Sequence, residues 1–228
     1  MRKREEFKRN IGFRKVHKIV VIAFEGASDK AEDRYFAGIQ KLINGLSLPA
    51  SPRFYIHSIP NSNNLSAPNY IFENINSFNK DELDLDFNED RSFLLIDYDQ
   101  HLTNIENHKI VDKCQEGSIN LIICRPCFEL WLLLHFEDIS LLEDEEQQRL
   151  LQNTKVKGKG FPINNRLFDA CGSANKSNLD FVKYENNVEK AVKNCIKLNG
   201  SDDTIPDTLS ARVDKILKEV GVNYDTVK

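Results

Sequence analysis

Ser92-Phe-Leu-Leu-Ile-Asp-Tyr-Asp99 is the stretch on which the fold turns. An apolar run from Phe93 to Ile96 reads as a strand, and it surfaces at its carboxyl end in two acids. The same design occurs earlier, where His17-Lys-Ile-Val-Val-Ile-Ala-Phe24 closes on Glu25-Gly26. Between the two lie a predicted helix, a strand and a second helix. Tyr35, Phe36, Ile39, Leu42, Ile43 and Leu46 recur at three- and four-residue spacing on one helical face. Asp29 is placed to cap that helix, with Glu32 as the other half of a capping box. Pro49 and Pro52 mark its exit, Arg53 to Ile59 alternates as a strand, and Ala67 to Phe78 reads as a short helix. Asn79 to Asp90, with six acids and one lysine, reads as an exposed loop.

Downstream, the spacing predicts a helix over Ile105–Gln115 and a strand over Ile119–Cys124, broken by Arg125-Pro126. Phe128-Glu-Leu-Trp-Leu-Leu-Leu-His-Phe136 then reads as a helix buried on most sides, with Pro126 in its first turn. Strands alternating with helices imply right-handed crossovers and a mainly parallel, four-stranded α/β sheet flanked by helices. Past Phe136 the pattern turns acidic (Glu137 to Glu146), then basic and glycine-containing (Lys155-Val-Lys-Gly-Lys-Gly160), and then helical. Phe181, Tyr184, Val188, Ala191, Val192 and Cys195 mark one amphipathic helix. Leu209, Val213, Ile216, Leu217 and Val220 mark another, opened by Pro206-Asp207. The organisation expected is a basic arm over 1–18, an α/β domain over 19–136, and a helical region over 137–228 packed on it.

Composition narrows the class. A chain of 228 residues with 29% charged residues and 14 Phe suits a globular protein. No apolar run approaches the ~20 residues of a bilayer span, and MRKREEFKRN lacks the apolar stretch of a secretory signal, so a cytoplasmic location is expected. Five scattered cysteines do not make a disulfide framework, and Cys124-x-x-Cys127 has no second pair to complete a zinc site. Residues 1–18 carry eight Lys and Arg against two Glu, a net +6, while the rest carries 23 against 33, a net −10. Arg2, Lys3, Arg4, Lys8 and Arg9 are therefore candidates for contact with a phosphate backbone, or else a solvated tail. Lys155, Lys157 and Lys159 are weaker candidates, in a loop that lacks the Walker pattern.

Glu25, Asp97 and Asp99 all fall at predicted strand ends. Residues i and i+2 of a strand face the same way, so the two aspartates are neighbours. Open parallel sheets bind ligands at the carboxyl ends of their strands. If the first and third strands are adjacent, three carboxylates meet there; such a cluster needs a cation, and hard oxygen donors suit Mg²⁺ or Mn²⁺. The alternative is that these acids merely solvate strand ends or cap helices.

Three segments together resemble the RloB family, a branch of the Toprim-like nucleases. They are Glu25-Gly26 with Tyr35-Phe36 and Glu32, then Asp97-x-Asp99 with His101, and Pro126-Cys-Phe-Glu-Leu-Trp-Leu-Leu-Leu-His-Phe136, with a weaker echo at Pro206, Thr208 and Val213. Arg125 replaces the family's Asn, Ala31 stands where Thr is expected, and the gap after Gly26 is two residues longer.

The resemblance implies a Toprim-like domain cleaving phosphodiesters with Mg²⁺ or Mn²⁺. Glu25, Asp97 and Asp99 would be the metal-binding acids, and Glu129 and His101 further candidates for catalysis. It implies a nucleic-acid substrate, RNA (tRNA among the candidates) or DNA. It also implies a toxic effector in bacterial anti-phage abortive infection, working beside an ABC-like AAA ATPase. A non-catalytic Toprim-like binding subunit of such a complex is the alternative. His135 and Trp131 read as packed core, the histidine hydrogen-bonded.

Overall fold

The computed structural model describes residues 17–46, 53–59, 68–81, 85, 89–98, 106–172, 179–198 and 205–222. Four strands form one all-parallel sheet: β1 (His17–Phe24), β2 (Arg53–Ile59), β3 (Arg91–Asp97) and β4 (Ile119–Cys124), in the order β2-β1-β3-β4. β1 thus takes in the last two residues of the predicted basic arm. Helices α1 (Ala31–Leu46), α2 (Pro68–Asp81) and α3 (Glu106–Glu116) make the crossovers. This is the Rossmann-like α/β arrangement that the alternating pattern predicts.

Both sheet faces are covered, which is why the strands read as unbroken apolar runs. Val20, Ile22, Phe24, Phe93, Leu95, Ile122 and Cys124 point to one face, where Tyr35, Phe36 and Ile39 of α1 meet them. Val21, Ala23, Leu94, Ile96 and Ile123 point to the other, under Ile71, Phe72 and Ile75 of α2 and Ile110 and Cys114 of α3. The C-terminal helices join the first of these layers. They are α4 (Glu129–Leu134), α5 (Asp144–Gln152), α6 (Pro162–Cys171), α7 (Val182–Glu185), α8 (Val188–Leu198) and α9 (Val213–Glu219). Ile163, Leu167, Val188, Val192, Ile216 and Leu217 share one core with the sheet residues and α4.

Five local readings need correction. Asn79 to Asp90 is not exposed loop throughout: α2 runs to Asp81, and Asp90 is fully buried, its Oδ1 accepting the Ile19 N–H at 2.8 Å. The α1 capping box uses Asp33 rather than Glu32: Asp33 Oδ2 accepts the Asp29 N–H at 2.9 Å. Asp29 itself is left-handed at φ 65°, and Arg34 holds its carboxylate at 2.9 Å. Pro126 lies not in a helical turn but in a bend with a cis Arg125–Pro126 bond, and α4 begins only at Glu129. The chain is pinned through Arg125 and Phe128, as described below, and cannot coil sooner.

The run from Phe181 to Cys195 is two helices, because Asn187 starts a new one: its carbonyl accepts the Ala191 N–H at 2.9 Å. The last helix starts at Val213, not at Pro206-Asp207. The preceding segment is spent on a bridge in which Ser210 and Arg125 exchange backbone hydrogen bonds at 2.7 and 3.0 Å. α4 is buried on all sides, as its sequence predicts. Its carboxyl end is satisfied by the buried Asn194, whose amide donates to Leu134 O at 2.8 Å and Glu137 O at 3.0 Å.

Candidate active site at the carboxyl edge of the sheet

The chain runs outward from β1 to β2, then crosses back over β1 to β3 and continues outward to β4. The direction of winding reverses between β1 and β3, so the crevice characteristic of such sheets opens at their carboxyl ends. Glu25 follows β1 and Asp97 ends β3, and the register places Phe24 beside Leu95 and Asp97 beside Cys124. Two of the three predicted metal-binding acids therefore flank the switch point, both half-buried. Asp99 and His101 lie outside the described residues, as do Arg2, Lys3, Arg4, Lys8 and Arg9.

Asp97 is held in place. Its Oδ1 accepts the Phe128 N–H at 2.7 Å, which ties β3 to the approach of α4. The next residue, Tyr98, donates its N–H to Cys124 O at 2.7 Å and carries the Arg125 guanidinium 3.9 Å from its ring centroid. Arg125 also donates to Pro206 O, and its backbone pairs with Ser210. The C-terminal Pro206–Ser210 segment is thus docked beside Asp97. Sequence spacing gave no sign of this contact, because it joins residues some eighty positions apart.

Glu32 approaches the same edge from α1. A Cβ at Gly26 would lie 2.5 Å from Glu32 Oε2 and 2.9 Å from its Cδ. The glycine after Glu25 thus leaves room for the Glu32 carboxylate, which would have to swing aside for a larger residue. Cys124 reports on the whole cluster. Its thiol is pushed well above the ordinary range, first by complete burial and then by the charges of Asp97, Cys195, Glu32 and Glu25. Cys127 is half-buried beside Asn153, whose amide donates to its Sγ at 3.7 Å. The described cysteines are all free thiols.

Glu129 is 2% exposed, and both its carboxylate oxygens are shut off from solvent. His135 is fully buried, as expected. Its Nδ1 lies 3.1 Å from Trp131 O, which can only accept, so Nδ1 carries the proton. Nε2 is then an acceptor for the Tyr35 hydroxyl at 3.2 Å. Burial lowers the His135 pKa to about 4, against a smaller upward pull from backbone hydrogen bonds to Trp131 and Leu132, so the ring is neutral at pH 7. Trp131 is fully buried in the same aromatic cluster.

Lys155, Lys157 and Lys159 are exposed on a tight hairpin closed by Val156 and Gly160. No group of three or more His, Cys, Asp or Glu among the described residues is placed to hold a metal ion. The trio Glu25, Glu32 and Asp97 does not do so by itself.

Fold and edge together define a doubly wound α/β protein with carboxylates gathered at its switch point. The family model described as RloB-like protein matches residues 20–220, and the chain belongs to that family. No curated protein and no solved structure matches it significantly. No helix among the described residues is long and apolar enough to cross a membrane.

Proposed function

We propose that the protein is a metal-dependent nuclease that hydrolyses phosphodiester bonds in RNA or DNA at the edge formed by Glu25, Asp97 and Asp99. The observation that carries this reading is the placement of Glu25 and Asp97 on either side of the switch point, in a chain of the RloB-like family. Their donor chemistry suits a hard divalent cation, and both side chains are half-buried rather than sealed in the core. With two such acids among the described residues, the third ligand of this reading is Asp99. A bound Mg²⁺ or Mn²⁺ supplies Lewis-acid polarisation of a phosphoryl oxygen and lowers the pKa of water.

The chain's own groups do the positioning. The Phe128 N–H fixes the orientation of Asp97 through Oδ1. Glu25, in the bend after β1, is the metal-binding acid from that strand, and Glu32 adds negative charge at Gly26. Glu129, with both carboxylate oxygens sealed from solvent at the start of α4, has no direct part in this reading. The family resemblance supports the setting: an effector of anti-phage abortive infection in the cytoplasm, restrained or triggered by an ABC-like AAA ATPase.

The test is cleavage of labelled RNA and DNA by the purified protein with Mg²⁺ or Mn²⁺, alone and with that ATPase. Asp97→Ala should abolish cutting while the circular dichroism spectrum stays native. Undiminished cutting by the variant would place the chemistry elsewhere. No cutting under any condition, together with stable association with the ATPase, would make the protein a binding subunit.

A further inference from the structure

Phe161 and Phe168 are exposed phenylalanines at the two ends of one helical face: 43% and 57% of their surfaces remain open to solvent. Phe161 caps α6 and Phe168 stands seven residues on, two turns later and ~10 Å along the helix axis. The opposite face of α6 is spent in the core through Ile163 and Leu167, so this stripe does no packing there. The hairpin before α6 carries three exposed cations, and Lys155 among them reaches the stripe. Val156 and Gly160 close it at 2.8 and 3.0 Å, with Gly158 and Gly160 at φ 77° and 83°, and this turns Lys155, Lys157 and Lys159 outward.

Lys155 Nζ stands 5.9 Å from the Phe161 ring centroid, so cation and ring face the same solvent. Among the described residues no acid pairs with any of the three lysines. On α6 itself, Arg166 is matched by Glu137 and Glu146, and Glu146 also holds Arg149. Asp169 is the one exposed acid next to Phe168.

A relay of hydrogen bonds links the start of α6 to the proposed site. Asn153, left-handed at φ 41°, donates to Cys127 Sγ and accepts the Ile163 N–H at 3.2 Å. Cys127 directly precedes Phe128, whose N–H holds Asp97. We infer that Phe161, Phe168 and the Lys155/Lys157/Lys159 hairpin form a platform for single-stranded nucleic acid, leading unpaired bases toward the strand ends. Exposed rings take base faces, which a duplex hides in its own stack, while the lysines follow the phosphates. This rests on the nuclease reading and adds the strandedness of its substrate.

The experiment measures binding without cleavage. Fluorescence anisotropy of the full chain is recorded in EDTA with a labelled mixed-sequence single strand, and with the same strand annealed to its complement, across a salt series. The single strand should bind at least tenfold more tightly than the duplex. Phe161→Leu with Phe168→Leu keeps apolar bulk but removes both rings, and should weaken single-strand binding roughly tenfold or more while leaving the salt slope unchanged. Replacing the three lysines by Ala should flatten that slope by about 2.

Equal binding by the double Leu variant, or equal affinity for duplex, overturns the platform. So does a wild-type self-association that the Leu variant abolishes without affecting oligonucleotide binding, because the stripe would then be a protein interface. Loss of metal-dependent cutting with binding in EDTA intact would sink the nuclease reading and leave the platform standing.

Discussion

Acidification from pH 7.5 to 4 should destabilise the protein through His135 alone by an amount that can be worked out in advance. Unfolded, the imidazole titrates near 6.5; folded, burial holds it to about 4. Across that window the unfolded chain binds a proton that the folded chain refuses, so stability is complete above pH 6.5 and is lost as pH falls towards 4. The difference corresponds to about 3 kcal/mol at the bottom of the window. Urea unfolding at half-unit pH steps measures it: with a slope of ~2–3 kcal/mol/M, the midpoint should drop by about 1 M from this group. His135→Gln removes the titration and supplies the control. Asp138 and Glu146, whose pKa values are lowered by Lys197 and Ser140 and by Arg149 and Arg166, titrate in both proteins and cancel in the comparison. Parallel midpoint-versus-pH curves for wild type and variant would refute the assignment of a neutral, Nδ1-protonated His135 locked between Trp131 O and the Tyr35 hydroxyl.

Three further outcomes follow from the geometry. Gly38→Ala should destabilise the protein by ~1–3 kcal/mol in urea unfolding, since the new Cβ would fall 2.1 Å from the Phe181 ring. A gain in stability, the usual result of Gly→Ala in a helix, would show that Phe181 does not sit on α1. With a thiol reagent under native conditions, the half-buried Cys127 and Cys171 should react first. Cys114, raised to about 12 by burial, and the fully buried Cys124 and Cys195 should wait for unfolding. Five equally fast thiols would contradict this packing. Ser210→Pro deletes the N–H that reaches Arg125 O, and should expose the Pro206–Ser210 segment to limited proteolysis at a rate Ser210→Ala does not match.

Much of the fold was legible because its signals are local. Apolar runs such as Ser92–Asp97 and Ile119–Cys124 announce strands sealed on both faces, and the helical spacing from Tyr35 to Ile43 announces the α1 stripe. What misled the reading was competition between local patterns and distant partners. Asp29 and Glu32 have capping-box spacing, yet Asp33 takes that hydrogen bond and Glu32 lies against Gly26. Pro206-Asp207 looks like a helix start, but Ser210 is drawn onto the edge of β4. Gly38 carries no sequence signal at all, because the ring it accommodates arrives from residue 181. At the site, the strand-end acids were visible as residues. The docking of Arg125 on Tyr98 and of Asn153 on Cys127 was not, since neither pair shares a motif or a period.

The central claim is that the acids at the carboxyl ends of β1 and β3 serve a divalent cation, and Mn²⁺ titration followed by electron paramagnetic resonance tests it without requiring turnover. Wild-type protein should sequester Mn²⁺, and Asp97→Asn and Glu25→Gln should each release it while remaining folded. Mn²⁺ left wholly in solution by the wild type, or held equally well by both variants, would contradict the account.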